Sequence, residues 1–107
     1  MPGETYLAAG VDRPAAQRAK ESIKALASAT LQPEVVGGVG FFGGMYHLQG
    51  YRQPVLVSST DGVGTKVKVA SLMGRFDTVG IDLVNHCVND TFTCGAKPRF
   101  FLDYIGV

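Results

Sequence analysis

A short apolar run that breaks into a charged, glycine-containing stretch is the feature that most constrains this chain. Val55, Leu56 and Val57 follow a proline and include β-branched side chains, a pattern typical of a buried strand. The next residues, at 58–66, are Ser-Ser-Thr-Asp-Gly-Val-Gly-Thr-Lys, and they bring a carboxylate, glycines, hydroxyls and an ammonium close together. The stretch therefore predicts a strand that ends in a ligand-binding loop.

The groups in this loop suit a phosphate and a divalent cation. Gly62 and Gly64 permit positive φ and a close backbone approach. Their N–H groups, with the Thr65 hydroxyl and the Lys66 ammonium, can surround phosphate oxygens, which leaves Asp61 to hold Mg²⁺. The spacing is not that of a Walker A motif, which needs four residues between its glycines before the lysine. The alternative is a strand-turn-helix corner in which Asp61 is only a turn or capping residue.

A second glycine-rich stretch lies upstream, between Val36 and Met45. Five of its eight residues are glycines, with Phe41 and Phe42 among them. Such a loop can lay backbone N–H groups over a triphosphate, and the aromatic rings can close it as a lid against water. The alternative is a hairpin bend or a bulge-rich strand with the rings packed in the core. The glycines concerned are Gly37, Gly38, Gly40, Gly43 and Gly44.

A helix predicted from about Val79 to Cys94 separates polar from apolar side chains. At about 100° per residue, the polar residues fall in one sector and the apolar residues in the opposite one. The polar sector lacks Lys, Glu and Arg and carries Asp, Asn and His, which suit Mg²⁺ or a substrate. The alternative is a face that hydrogen-bonds neighbouring loops, and we assign His86 no duty as a general base. The polar residues are Asp82, Asn85, His86, Asn89, Asp90 and Thr93.

Local signals predict two other helices. Asp12 is a suitable N-cap for a helix that runs to about Ala27, with Pro14 in its first turn. A short helix is predicted after Lys66, and Gly74 closes it as a C′ residue.

The remaining segments predict two strands and a poorly ordered amino-terminal segment. Residues 45–48 predict a short strand, and residues 99–105 predict a longer one. Residues 1–10 are small and carry no periodic pattern, so we expect them to be poorly ordered.

Composition limits the class of protein. A chain of 107 residues is one domain or part of one. Its formal charge of +1 predicts no nucleic-acid surface, and no apolar run approaches a membrane span. Cys87 and Cys94, without a CxxC motif or a signal peptide, indicate reduced thiols in a cytoplasmic protein. His47 and His86 offer no ligand pair at zinc spacing.

Several blocks of the sequence match one family of enzymes. The most specific part is Asp-Gly-Val-Gly-Thr-Lys at 61–66, with Gly-Ile-Asp-Leu-Val at 80–84 and Cys-Val-Asn-Asp at 87–90. Further matching blocks lie at 9–12, 36–40, 54–58 and 100–104. In these blocks the chain resembles the amino-terminal part of the phosphoribosylformylglycinamidine cyclo-ligases, also called aminoimidazole ribonucleotide synthetases.

The resemblance implies an α+β fold and a reaction of purine biosynthesis. The fold would be the amino-terminal ATP-binding domain of that family, a mixed sheet with helices on one face, of which residues 1–107 form a part; the carboxy-terminal domain is absent. With ATP and Mg²⁺, the formyl amide oxygen of formylglycinamidine ribonucleotide is phosphorylated, the amidine nitrogen attacks the activated carbon, and phosphate leaves as the ring closes. A cytoplasmic homodimer is also implied, and a piece of this size is not expected to complete the active site.

The resemblance also implies roles for single residues. Asp61 and Asp90 would be metal ligands, with Asp82 as a third or outer-shell ligand, and Lys66 and Asp61 would be the catalytic pair. Lys66 would meet phosphate oxygens, while Asn89 and Asp103 would orient bound groups. The ATP-binding set comprises Gly37, Gly38, Gly40, Gly43, Gly44, Gly62, Gly64, Thr65, Lys66, Asn89 and Asp103.

Two other functions stay open from the sequence. The chain could belong to another ATP-dependent synthetase or kinase of the same superfamily. It could also be a non-catalytic dimerisation module with a vestigial nucleotide groove.

Overall fold

The computed structural model of the chain describes residues 8–10 and 12–105. In chain order its elements are α1 (Arg13–Ser28), β1 (Val35–Val36), β2 (Met45–Tyr46), α2 (Lys66–Met73) and α3 (Val79–Phe92). Of the described residues, those up to 49 and those at 102–105 form a first compact unit, and residues 50–101 form a second. Helices and a small sheet together place the described residues in the α+β class.

The first helix begins where its capping residue predicts. The Asp12 carboxylate accepts a hydrogen bond from the Ala15 N–H at 2.9 Å, and a proline lies in the first turn. The helix ends at Ser28, one residue beyond the predicted Ala27. Of the segment that we predicted to be poorly ordered, residues 8–10 form a turn, and residues 1–7 lie outside the described residues.

The first unit also contains an antiparallel hairpin. Val35 pairs with Tyr46 and Val36 with Met45, which confirms the short strand predicted at 45–48 in its first two residues. The glycine-rich stretch is the connection between β1 and β2. The stretch is therefore a hairpin bend, as one of the two alternatives held, but Phe42 is fully exposed, so the two aromatic rings do not both pack in the core.

This connection needs glycine for two reasons: positive φ at Gly37, Gly38 and Gly40, and a close contact at Gly44. Gly37 has φ of 84°, a conformation that disfavours side chains. Gly44 approaches Leu102 so closely that a Cβ atom would lie 2.6 Å from the leucine Cδ2. The glycines here therefore serve the bend of the hairpin and its contact with residue 102.

The second unit is built on the helix pair α2 and α3, which contact each other. Gly74 closes α2 in the left-handed conformation, with φ of 61° and its N–H bonded to the carbonyls of Ala70 and Ser71, as predicted. The Arg99 guanidinium lies 5.5 Å from the centre of the Tyr51 ring and also bonds its hydroxyl, which joins the two ends of the unit. No helix among the described residues is long and apolar enough to cross a membrane.

Few side chains are buried in either unit, and two of the predicted strands do not form in the described residues. Residues 55–57 and 99–105 form no strand in the described part of the chain, and Val55 is 88% exposed. A strand needs a neighbour for its backbone N–H and C=O groups, and the sheet of the described residues contains only β1 and β2. An apolar pattern can therefore indicate that a segment favours a strand, but it does not show which other strand would pair with it.

Candidate functional site

The site forms where the loop that precedes α2 meets the polar face of α3. The Asp61 carboxylate accepts a hydrogen bond from the Gly62 N–H at 2.7 Å through Oδ1. Its other oxygen, Oδ2, lies 2.9 Å from Nε2 of His86. Cys87, the one buried apolar residue among those described, places its sulfur 4.0 Å from the Asp61 carbonyl oxygen. The loop is thus held against α3 through both the carboxylate and the backbone carbonyl of Asp61.

A second pair of contacts joins the same loop to the next turn of α3. His86 and Asp90 are four residues apart, so they lie on one face of the helix, with Nε2 and Oδ2 separated by 4.0 Å. The Ser59 hydroxyl donates a hydrogen bond to Oδ2 of Asp90 at 3.0 Å. Because the loop reaches both turns, the two carboxylates are brought together by different elements.

Asp61, His86 and Asp90 have the spacing of metal ligands. One ligand atom from each lies within 4.8 Å of the others, and no other group of three or more such residues is found among residues 8–10 and 12–105. Ligands of one octahedral ion with bonds of about 2.1 Å are about 3–4 Å apart, so small movements would suffice. The three side chains are about half exposed, at 54%, 50% and 50%, which leaves room for water or phosphate oxygens as further ligands. The donor set therefore fits a divalent cation.

The charge state of Asp61 also suits this role. The Gly62 N–H is the main cause that lowers the pKa of Asp61, and the hydrogen bond and positive charge of His86 lower that pKa further. The carboxylate therefore stays ionised at neutral pH, which is the form that binds a cation.

Lys66 and Asp82 form a separate pair beside this cluster. The Lys66 Nζ lies 3.7 Å from Oδ1 of Asp82, and both side chains are substantially exposed. They line an open groove of about 290 Å³ between α2 and α3, whose other polar side chains include Arg75. Asp82, which we predicted as a third or outer-shell metal ligand, is therefore outside the cluster, where His86 takes the third position.

The other predicted residues lie in both units. Gly62, Gly64 and Thr65 precede α2, where Gly64 has φ of 59°. Asn89 is exposed on α3 next to Asp90. The predicted glycines of residues 37–44 and Asp103 belong to the first unit.

Sequence reasoning missed two members of the site. It placed His86 on the polar face that suits Mg²⁺ or a substrate but did not name it among the metal ligands, although a histidine four residues before an aspartate on a predicted helix was a usable signal. It gave Ser59 no role, because a hydrogen bond across 31 residues leaves no local pattern.

The amino-acid sequence is similar to those of known proteins. Residues 43–107 match the family described as AIR synthase related protein, N-terminal domain, and the chain belongs to this family. Over 101 residues, 94% of this chain, it is 58% identical to a phosphoribosylformylglycinamidine cyclo-ligase of Thermosynechococcus vestitus. It is 56% identical over the same length to the proteins of that name from Xanthomonas campestris pv. campestris and Xanthomonas oryzae pv. oryzae. The chain spans about 30% of the length of these relatives.

Proposed function

We propose that this chain supplies the metal- and ATP-binding loop and helix of a phosphoribosylformylglycinamidine cyclo-ligase. The observation that carries the proposal is the meeting of Asp61 and Asp90, from a loop and from α3, at ligand spacing. The identity of 58% to a protein of that name supports the choice of this reaction. Purine biosynthesis, a cytoplasmic location and formylglycinamidine ribonucleotide as substrate belong to the proposal.

The carboxylates would hold the cation beside the nucleotide. The Gly62 N–H donates a hydrogen bond to Oδ1 of Asp61, so Oδ2 of Asp61 would bind the cation. The Ser59 hydroxyl donates to one carboxylate oxygen of Asp90 and holds that side chain in place. A bound Mg²⁺ neutralises phosphate oxygens and thereby stabilises the transition state of phosphoryl transfer. Asp82 would contribute at most through the shell of water around the ion, since its carboxylate pairs with Lys66.

Lys66 would meet the phosphate directly. The Lys66 side chain is 63% exposed, and an exposed ion pair contributes little stability, so exchanging Asp82 for a phosphate oxygen costs little. The N–H groups of Gly62 and Gly64, with the Thr65 hydroxyl, would add donors at the same loop. In the proposed reaction the phosphorylated formyl amide is attacked by the amidine nitrogen, and phosphate leaves as the ring closes.

The remaining predicted roles concern the larger protein. The glycine-rich connection at 37–44 would cover the triphosphate, and Asn89 and Asp103 would orient bound groups. Residues 55–57 and 99–105, extended in pattern and exposed, would become strands of a mixed sheet with helices on one face once further chain or a second subunit pairs with them. A homodimer with a carboxy-terminal domain in each subunit is part of this proposal.

Calorimetry of the 107-residue chain with ATP and Mg²⁺ tests the proposal. We expect saturable heat that requires Mg²⁺ and an affinity that falls about tenfold or more in Asp61→Asn. Asp77→Asn is the matched control, because Asp77 is an exposed carboxylate of the same unit that pairs with Arg75 and lies outside the cluster. Equal affinity in wild type and Asp61→Asn would contradict the assignment of the metal, and no heat in any chain would favour the dimerisation module.

A further inference from the structure

His86 lies beside both carboxylates of the candidate metal site. Its Nε2 lies 2.9 Å from Oδ2 of Asp61 and 4.0 Å from Oδ2 of Asp90, so the ring nitrogen faces both carboxylates. The four-residue spacing on α3 and the contacts of Asp61 with Gly62 and Cys87 hold this arrangement.

The type of donor at this position affects which cation is preferred. Mg²⁺ favours oxygen ligands and near-ideal octahedral geometry, and it keeps several of its waters. An imidazole nitrogen suits the transition metals better, and affinity for nitrogen-containing sites rises from Mn²⁺ along the first row. Carboxylates suit both Mg²⁺ and Mn²⁺, whereas a nitrogen donor beside two carboxylates is accepted more readily by Mn²⁺ than by Mg²⁺.

We propose that the neutral imidazole of His86, with its proton on Nδ1, is a direct ligand, through Nε2, of the cation held by Asp61 and Asp90, and that it biases this site toward Mn²⁺ over Mg²⁺. Metal binding then replaces the hydrogen bond between Nε2 and Oδ2 of Asp61, which needs a proton on Nε2. The inference rests on the proposed function, because it concerns the same cation. The alternative is that the positively charged imidazolium of His86 only neutralises the two carboxylates and is displaced from them when a cation binds. In that second case, loss of the histidine would strengthen the binding of every divalent cation.

Spectroscopy of bound Mn²⁺ distinguishes these cases. We expect electron spin echo modulation from a directly bound ¹⁴N in the wild-type chain and its loss in His86→Asn, which keeps a polar side chain with an oxygen donor. Competition titrations should show the affinity for Mn²⁺ relative to Mg²⁺ falling about tenfold in His86→Asn. His47→Asn is the matched control, since His47 lies in the first unit and pairs with Gln49, and both readouts should be unchanged in it.

Three results overturn the inference. These are a nitrogen signal that persists in His86→Asn, an unchanged ratio of the Mn²⁺ and Mg²⁺ affinities, and tighter binding of both cations in the variant. Failure of wild type to bind either cation would reject the metal site of the proposed function as well. Binding of both cations without a nitrogen signal would reject only the role of His86. Circular dichroism of each variant, compared with wild type, separates loss of a ligand from loss of α3.

Discussion

The Asp61 carboxylate lies 2.9 Å from Nε2 of His86, although 25 residues separate the two in the sequence. This contact joins the loop before α2 to the polar face of α3. Ser59 makes a parallel contact with Asp90, so the loop is fixed at two successive turns of the helix. The candidate metal centre depends on both contacts.

Ser59→Ala tests whether the second contact positions the metal ligand. Without the hydroxyl, Asp90 can rotate away from Asp61, so we expect the affinity for Mn²⁺ to fall about tenfold. Titration of Mn²⁺ by electron paramagnetic resonance measures this. Ser71→Ala on α2 is the control, and equal effects of the two substitutions would show that the Ser59 hydroxyl has no specific role.

Gly74 and Gly80 form a matched pair for helix stability. Gly74 is left-handed at the end of α2, so Gly74→Ala should lower the free energy of unfolding by about 1 kcal/mol. Gly80 lies inside α3, where an added Cβ atom would meet nothing within 4 Å. Gly80→Ala should therefore raise the stability by roughly 0.5–1 kcal/mol.

Urea unfolding followed by circular dichroism at 222 nm checks both changes. The opposite signs are the essential result, because they follow from backbone conformation alone. Two destabilising substitutions would contradict the described geometry of α3.

Removal of the N-cap of α1 should loosen the start of that helix. Asp12→Ala loses the hydrogen bond from the Ala15 N–H, which is worth about 1 kcal/mol at a typical cap. Amide hydrogen exchange should accelerate at Ala15 and Ala16. Lys20→Ala, in the middle of α1, should leave these amides unchanged, and equal protection in the two variants would mean that Asp12 does not cap the helix.

The helices of this fold could be predicted from the sequence, whereas the pairing of its strands could not. The helices were predicted well because their signals are local: Asp12 caps α1, and Gly74 ends α2. The strands predicted at 55–57 and 99–105 were wrong for the described residues, because pairing depends on a neighbour that no local pattern reveals.

The candidate site could likewise be predicted only in part from the sequence. Helical periodicity placed His86 and Asp90 on one polar face, but it could not show that the Asp61 loop folds onto that face. Asp82 was on the same predicted face and pairs with Lys66 instead. The metal and ATP-binding roles of all these residues stay predictions.

The pH dependence of Asp77 provides an independent test of local charge. The Arg75 guanidinium, which donates hydrogen bonds to this carboxylate, is the main cause that lowers the pKa of Asp77. The stabilisation from this pair is therefore present above the pKa of the unfolded chain and is lost as pH falls through the lower folded value.

Arg75→Gln should raise the pKa of Asp77 toward its ordinary value. Carbon-13 NMR titration of the carboxyl groups in metal-free protein measures this change. Asp61 is the internal control, because its hydrogen bonds come from Gly62 and His86. An Asp77 titration that is the same in wild type and Arg75→Gln would contradict the pairing.

The central claim is that Asp61 and Asp90 bind one common cation. Crystals of the chain soaked in Mn²⁺ and measured at the manganese absorption edge test it most directly. The account predicts one strong anomalous peak at about 2.2 Å from a carboxylate oxygen of each residue. No peak between the two carboxylates at saturating Mn²⁺, or a peak only beside Asp82, would contradict it.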